Sequence, residues 1–124
     1  MADPGAAPEF MLDGTLVLLY AFLDTSRGPF QTVVNGIAVD SSVVTRLVIT
    51  EDLVEGGVHL LHCNADWETV AASAFKNAEA ARQSADSTYE GAAPQWHAYR
   101  ALTEDEKRQV ETTRAFLREL ASEG

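Results

Sequence analysis

The sequence is poor in basic residues, with nine Lys and Arg against 19 Asp and Glu and a formal net charge of -10. Between Gly28 and Phe75 the one basic residue is Arg46. Nucleic acids and anionic membrane surfaces are bound through clustered Lys and Arg, so the charge balance argues against both as partners. It favours a basic protein partner, which long-range electrostatics would attract. Acidity that merely keeps the protein soluble is the alternative.

The sequence also lacks the features of secreted and membrane proteins. Cys63 is the sole cysteine, so no disulfide can form within the chain and the redox compartment is unconstrained. The apolar run Leu16 to Leu23 is far shorter than the roughly 20 residues that cross a bilayer. No signal-peptide pattern is present, so we expect a soluble, cytoplasmic protein.

The first ten residues, MADPGAAPEF, have no periodicity and precede a second methionine, Met11. We predict that residues 1–10 are an appended or disordered leader and that residues 11–124 form a single domain. Without Asp3 and Glu9 the formal charge of that domain is -8, so it remains acidic.

The N-terminal half of the domain predicts strands. The apolar run from Thr15 to Leu23 indicates a strand buried on both faces near the middle of a sheet, although periodicity alone leaves a buried helix open. Asn35-Gly36 predicts a hairpin between strands 30–34 and 37–39, because both residues tolerate positive φ. Residues 43–50 mix apolar and polar positions, which favours an edge strand.

A second hairpin and a helix form the centre of the predicted fold. Strands 58–63 and 67–72 flank the turn formers Asn64-Ala65-Asp66. Asn77 is a good N-cap for an alanine-faced helix that extends to about Tyr89. Gly91 is expected to take positive φ just past the helix, and Pro94 prevents its continuation.

Near the C-terminus, Thr103 and Glu106 form a capping box that starts a second helix, which extends to about Ala121. The segment from His97 to Arg100 before it is either a short strand or an extended strap across the sheet. Strands followed by two helices predict an α+β fold, in which a largely antiparallel sheet of four to six strands carries both helices on one face.

The central segment resembles a pattern found in small, mostly uncharacterised bacterial proteins. The matching residues are Leu61-His62-Cys63-Asn64-Ala65-Asp66-Trp67, the capped alanine-rich helix, Tyr89-Glu90-Gly91 and Trp96. Some of these proteins occur in mobile gene cassettes or beside secreted toxins, where small neighbours are often immunity proteins. The resemblance implies an immunity or inhibitor protein, although Asn64 stands where an acid is usual. It implies no catalytic residue and no cofactor.

Four residues have side chains of the types that bind metals or act in nucleophilic catalysis: His59, His62, Cys63 and His97. On a strand His59 and His62 emerge on opposite faces, so they cannot converge on a metal ion, and a structural role for Cys63 is favoured over a metal or nucleophilic role. The neighbouring acids Asp66 and Glu68 are expected to raise the pKa of the thiol. We therefore expect no metal site, no catalytic residue and no enzymatic activity.

The sequence thus predicts a non-enzymatic acidic binding protein, of the kind that masks a basic toxin. Acidic residues in the predicted turns and one tryptophan are the candidate partner-binding residues: Glu51, Asp52, Glu55, Asp66, Glu68 and Trp67. The alternative is a small-ligand-binding or homo-oligomeric domain, for example a homodimer. Such a domain would use a pocket between sheet and helices lined by Trp67, Tyr20 and Trp96. Both tryptophans would otherwise serve as core anchors.

Overall fold

The structure is a computed structural model, which describes residues 7–24, 31–92 and 94–123. Within these ranges the chain forms eight strands, two α-helices and one 3-10 turn, Glu90–Ala92. The strands are β1 (Met11–Leu12), β2 (Thr15–Phe22), β3 (Gln31–Val34), β4 (Ile37–Asp40), β5 (Arg46–Glu51), β6 (Val58–Cys63), β7 (Thr69–Phe75) and β8 (Gln95–Ala98). The helices are α1 (Ala78–Thr88) and α2 (Glu104–Glu123).

The main sheet has six strands and is antiparallel throughout. Its order is β1-β2-β5-β6-β7, and β8 pairs with β2 on the same side as β1. Strands β3 and β4 pair only with each other, in a separate hairpin. The predicted α+β class and the antiparallel sheet are confirmed. Of the two possibilities for residues 97–100, pairing of β8 with β2 favours the strand.

The predicted edge position for residues 43–50 is wrong. The strand β5 begins at Arg46 and lies between β2 and β6, with Leu47, Val48 and Ile49 fully buried. The mixed pattern arises because Arg46, itself only 7% exposed, packs against two aromatic rings and so tolerates an interior position. Burial on both faces gives β5 the continuous apolar centre of an interior strand.

The sheet is strongly curled. Its register shifts between Val17 and Leu19, and such irregularities bend a strand and increase its twist. The β1–β2 turn consequently reaches the far edge of the sheet, where the Thr69 hydroxyl donates a hydrogen bond to Asp13 Oδ2 at 2.7 Å. The curl explains why Val48 and Cys63, on the face away from α1, are fully buried under strands and turns alone.

The β3–β4 hairpin forms at Asn35-Gly36 as predicted. Both residues take positive φ, 48° and 81°, which matches the twist of a tight hairpin. Val34 and Val39 point into the core, and the Asn35 side chain donates to the Ala72 carbonyl of β7. The hairpin therefore lies against β7, the last strand of the main sheet, where it covers part of an otherwise open edge.

Helix α1 packs on one face of the main sheet through its small residues. Ala81 and Ala85 are fully buried, and Tyr89 at the C-cap is 1% exposed. The Asn77 side chain accepts from Ala80 N at 2.8 Å, which confirms the predicted N-cap.

The expectation that Gly91 takes positive φ is wrong. Gly91 lies in the 3-10 turn without positive φ, because Ala92 N bonds back to the Tyr89 carbonyl and continues the chain in a tighter turn.

Replacing Asn77 with alanine should reduce the free energy of unfolding by about 1 kcal/mol, because the first turn of α1 loses its side-chain acceptor. Urea denaturation measures the loss. Gln83→Ala, in the exposed middle of the same helix, is the control and should change stability by less than about 0.5 kcal/mol. Equal effects of the two substitutions would show that the cap contributes nothing specific.

Helix α2 contacts the β5–β6 loop and the segment that follows β8. Its capping box is confirmed, since Thr103 N donates to Glu106 Oε1 at 2.8 Å and Glu106 N donates to Thr103 Oγ1 at 3.2 Å. Val110 is buried, and Arg114 Nε donates to the Leu53 carbonyl in the β5–β6 loop. The apolar side chains of α2 are only partly covered, because two of them stay exposed: Phe116 (59%) and Leu120 (49%). Neither helix in the described part of the chain has the length and apolarity of a membrane span.

Candidate functional site

The face of the sheet opposite α1 carries a continuous group of rings. Strand alternation places these side chains together from β2, β8 and the turn before β7. Their members are Tyr20, Phe22, Trp67, His97 and Tyr99, with the guanidinium of Arg46 among them. We call these six residues the aromatic face.

The rings of the aromatic face contact one another in the geometries that aromatic pairs prefer. Tyr20 is the central ring, stacked on His97 with centroids 5.4 Å apart and edge-to-face with Trp67 at 5.9 Å. Tyr99 meets Tyr20 at 6.2 Å. His97 is exposed and the other rings are half-buried, so the group forms a rigid surface with its edges open to solvent.

Arg46 contacts two rings of the aromatic face and helps to fix their positions. Its guanidinium carbon lies 4.9 Å from the ring centroids of both Phe22 and Trp67, and its Nε donates to the Ala65 carbonyl at 3.1 Å. Burial lowers the pKa of Arg46, and the charge of Asp66 opposes that shift. The arginine therefore packs its planar group against two aromatic rings that also contact each other, with centroids 5.7 Å apart, and a lysine could not reproduce these contacts.

Trp67 is held over Arg46 by an unusual turn. Its φ is 62°, a left-handed conformation that costs a residue with a side chain roughly 1–2 kcal/mol. Asn64 offsets this cost, since its Oδ1 accepts from Asp66 N at 2.9 Å and Glu68 N at 3.0 Å. Its Nδ2 donates to Glu68 Oε1 at 3.0 Å. The turn is therefore longer than predicted, and β7 begins at Thr69 rather than at Trp67.

The predicted acidic surface is divided between two ends of the sheet. Glu51, Asp52 and Glu55 lie at the end of β5 and in the β5–β6 loop, whereas Asp66 and Glu68 lie in the β6–β7 turn beside Trp67. Strand β6 separates the two groups by six residues, or about 20 Å. The structure therefore brings only the second group to the aromatic face.

The first acidic group is engaged in local structure. Asp52 Oδ1 accepts from Val54 N and Glu55 N, each at 2.8 Å, and these bonds lower the pKa of the carboxyl. Its other oxygen lies 3.5 Å from His59 Nε2. Lys76, Arg114 and Arg118 line the same groove, so the charge there is mixed. Asp66 and Glu68 are both exposed, although Glu68 accepts a hydrogen bond from Asn64 Nδ2.

The histidines and the cysteine diverge, as strand alternation predicts. His62 faces α1, is 2% exposed, and shares a hydrogen bond of 2.6 Å between its Nδ1 and the Tyr89 hydroxyl. Burial raises the pKa of Cys63 to about 12, while a hydrogen bond with Thr69 lowers it and the charge of Asp13 raises it. The acid that acts on the thiol is therefore Asp13, not Asp66 or Glu68, because the curl brings the β1–β2 turn over it. Among the described residues no three His, Cys, Asp or Glu side chains lie close enough to hold a metal ion.

The predicted pocket lined by Tyr20, Trp67 and Trp96 does not form. Tyr20 and Trp67 belong to the aromatic face, whereas Trp96 lies on the α1 side and donates from Nε1 to Asp86 Oδ1 at 2.8 Å. Successive residues of β8 point to opposite faces, so Trp96 and His97 cannot line one cavity.

Sequence reasoning found Trp67 and its acidic neighbours but missed most of the aromatic face. The spacing of Tyr20 and Phe22 on β2, and of His97 and Tyr99 at β8, is the two-residue period that places rings on one side of a strand. Nothing in the sequence indicates that β2 pairs with β8, however, because 72 residues lie between Phe22 and Gln95 in the chain. Only the folded register brings these two residues together. Among protein-family models, curated proteins and solved structures, nothing matches the chain.

Proposed function

We propose that this chain is a non-enzymatic acidic binding protein that holds a basic protein partner on its aromatic face, as a bacterial immunity protein masks a toxin. The observation that carries the proposal is the placement of Trp67. Its indole is fixed over Arg46 and is flanked by two exposed acids, Asp66 and Glu68. Trp, Tyr and Arg are the residue types enriched at the energetic centres of protein interfaces.

The rigidity of the aromatic face favours binding. A side chain that is already ordered loses little conformational entropy when a partner covers it, and each mobile side chain would cost roughly 0.5–1.5 kcal/mol to immobilise. Tyr20 contacts Phe22, Trp67, His97 and Tyr99 at once, and Asn64 locks the turn that carries Trp67. The surface is therefore organised before the partner arrives.

The negative charge of the chain favours a partner of positive net charge. A formal net charge of -10 would accelerate encounter with a basic protein and slow encounter with an acidic one. Asp66 and Glu68 would place negative charge at the rim of the contact, where it acts on association rate more than on final affinity.

The first test is a mixture with the basic product of the adjacent gene. We expect a complex on size-exclusion chromatography whose dissociation constant rises at least about tenfold when NaCl increases from about 50 mM to about 500 mM, because salt screens exposed charges. Absence of a complex, or affinity that is indifferent to salt, would contradict the proposal.

Variants then test which end of the sheet binds. Trp67→Ala should weaken the complex by about 30-fold, equivalent to about 2 kcal/mol, as truncation of an interface centre does. The pair Asp66→Asn and Glu68→Gln should mainly slow association. Glu51→Gln with Glu55→Gln, at the other end of β6, is the matched control and should leave affinity within about twofold. A reversal of these effects would show that the partner binds at the β5–β6 loop instead.

A homo-oligomeric accessory domain is the second candidate, supported by the exposed apolar residues of α2. Phe116 and Leu120 are one helical turn apart and are 59% and 49% exposed. Sedimentation velocity over a concentration series should then show a homodimer that Phe116→Ser dissociates. A monomer at every concentration would eliminate this candidate without affecting the first.

A further inference from the structure

A groove beside the β5–β6 loop collects basic side chains in an otherwise acidic chain. The groove has a volume of about 570 Å³, within the range of about 300–1,000 Å³ that small-molecule sites occupy. Its walls come from the end of β5, the β5–β6 loop, the residues between β7 and α1, and α2. Three basic side chains lie in these walls: Lys76, Arg114 and Arg118. The whole chain has nine basic residues, so a third of them line this one groove.

Lys76 and Arg118 differ from the other basic residues outside the core because neither has an acidic partner. Within residues 7–24, 31–92 and 94–123, all the others form ion pairs: Arg82–Asp86, Arg100–Glu106, Lys107–Glu104, Arg108–Asp105 and Arg114–Glu111. No described residue forms an ion pair or a hydrogen bond with the side chain of Lys76 or Arg118. Although the chain has 19 acidic residues, its two described cations without a partner line the same groove.

Arg114 is held at the groove by two contacts. Its Nε donates to the Leu53 carbonyl at 3.1 Å, and its Nη1 donates to Glu111 Oε1. Its side chain is 21% exposed, and Arg118 lies one helical turn further along the same side of α2. The second terminal nitrogen, Nη2, has no hydrogen-bond partner in the part of the chain that the structure describes. This guanidinium can therefore bind a ligand atom without losing its present bonds.

The two acidic residues of the groove neutralise its positive charge only in part. Asp52 is satisfied locally, since Oδ1 accepts from Val54 N and Glu55 N and Oδ2 lies 3.5 Å from His59 Nε2. Glu51 is the other acid of the lining. Three basic side chains against two acidic ones leave the groove positive in a chain whose formal net charge is -10.

Helix α1 begins at the same groove. Asn77, its N-cap, and Ala78, its first residue, belong to the lining. The first backbone amides of a helix have no carbonyl partner within it, and they form the positive end of the helix dipole. Donors and positive potential are therefore contributed by Lys76, by the first turn of α1 and by α2.

We propose that this groove binds a small molecule through a phosphate monoester group, with Lys76 and Arg118 as charged contacts and Arg114 as a further donor. A phosphate dianion matches the two unpaired cations in charge. Its three terminal oxygens accept hydrogen bonds from several directions, which suits donors on separate elements. The inference goes beyond the proposed function, because Trp67 and the β5–β6 loop lie at opposite ends of β6, and it does not need the basic partner.

NMR titration of the isotopically labelled full chain with inorganic phosphate tests the proposal. At constant ionic strength, the Gly57 and Ala78 amides should shift and saturate with a dissociation constant of about 1 mM or lower, because charge-assisted hydrogen bonds are the strong ones. The Asn35 amide, in the β3–β4 turn, should not shift. Chloride in place of phosphate should give no saturable shift. Phosphate shifts that do not saturate, or that do not include the groove, would overturn the proposal.

Substitution of the unpaired cations tests their role. Lys76→Gln with Arg118→Gln should weaken phosphate binding at least about tenfold, because both charged contacts are lost. Lys107→Gln with Arg108→Gln also removes one lysine and one arginine, but from ion pairs on the exposed side of α2, and should change affinity less than about twofold. Equal weakening by the two variants would show that net charge attracts the anion, and the proposal would fail. If the groove variant does not fold, the titration of the unsubstituted chain decides.

The choice of anion tests the assignment to phosphate. Succinate carries two negative charges on carboxylates and should bind at least about fivefold more weakly than inorganic phosphate, because its planar groups do not match donors on separate elements. Glycerol phosphate should bind at least as tightly as inorganic phosphate, since the groove has room for the glycerol. Succinate that binds as tightly as phosphate, or glycerol phosphate that does not bind, would contradict the assignment.

Discussion

Lowering the pH from 7 to 5 should reduce the free energy of unfolding by about 2 kcal/mol, with His62 responsible. This imidazole is 2% exposed between β6 and α1, and burial lowers its pKa to about 4 from the ordinary 6.5. In the unfolded chain it takes up a proton below pH 6.5, whereas in the folded chain it stays neutral until about pH 4. Stability therefore falls as pH falls through this window.

The geometry around His62 explains why the protonated form is disfavoured. Its Nδ1 and the Tyr89 hydroxyl share a hydrogen bond of 2.6 Å, and within the described residues its buried Nε2 has no hydrogen-bond partner. Protonation would place a charge among Leu47, Ala71 and the alanine face of α1 without a second acceptor.

Denaturant titrations at pH 7, 6 and 5 measure this effect. His62→Phe should abolish the dependence in that range, whatever its stability at pH 7, because the ring no longer titrates. His97→Asn, on the exposed side of the sheet, should retain it. Carboxylates with lowered pKa, such as Asp52, contribute mainly at lower pH and so do not obscure the window. An equally steep pH dependence in His62→Phe would contradict the account.

Arg46→Ala should reduce the free energy of unfolding by about 3 kcal/mol. The substitution removes the cation–π contacts with Phe22 and Trp67, the hydrogen bond to the Ala65 carbonyl, and the packing of a side chain that is 7% exposed. Guanidinium denaturation gives the loss, and tryptophan emission should shift to longer wavelength as water reaches Trp67.

Arg46→Lys separates the contribution of charge from that of the planar group. Lysine keeps the charge but cannot stack a planar group on the rings or donate from the Nε position, so it should recover less than half of the loss. Arg82→Ala, an exposed arginine on α1, is the matched control and should cost less than about 0.5 kcal/mol. Full recovery by lysine would show that stacking is unimportant.

Local signals in the sequence predicted local structure well. Asn35-Gly36, Asn77 and the Thr103–Glu106 box each predicted an element correctly, because the physics of a turn or a cap involves only a few adjacent residues. The α+β class followed from the order of these elements. The position of β5 was predicted wrongly because its polar Arg46 is stabilised by Phe22 and Trp67, which are distant in the chain.

The candidate site was predictable only in part, for the same reason. Trp67, Asp66 and Glu68 are neighbours in sequence and remain neighbours in the fold. The remaining rings come from β2 and β8, whose pairing depends on long-range register rather than on local pattern. The acids of the β5–β6 loop were predicted to lie on the same surface as Asp66 and Glu68. The length of β6 keeps the two groups apart, and an argument from composition does not take that length into account.

The account depends most on the claim that the aromatic face is where this chain binds. NMR titration of the isotopically labelled chain with a basic protein that forms the proposed complex tests it directly. The account predicts that the largest shifts fall on the Trp67 indole, the His97 ring and the Glu68 amide. Shifts confined to the β5–β6 loop or to the exposed residues of α2 would contradict it.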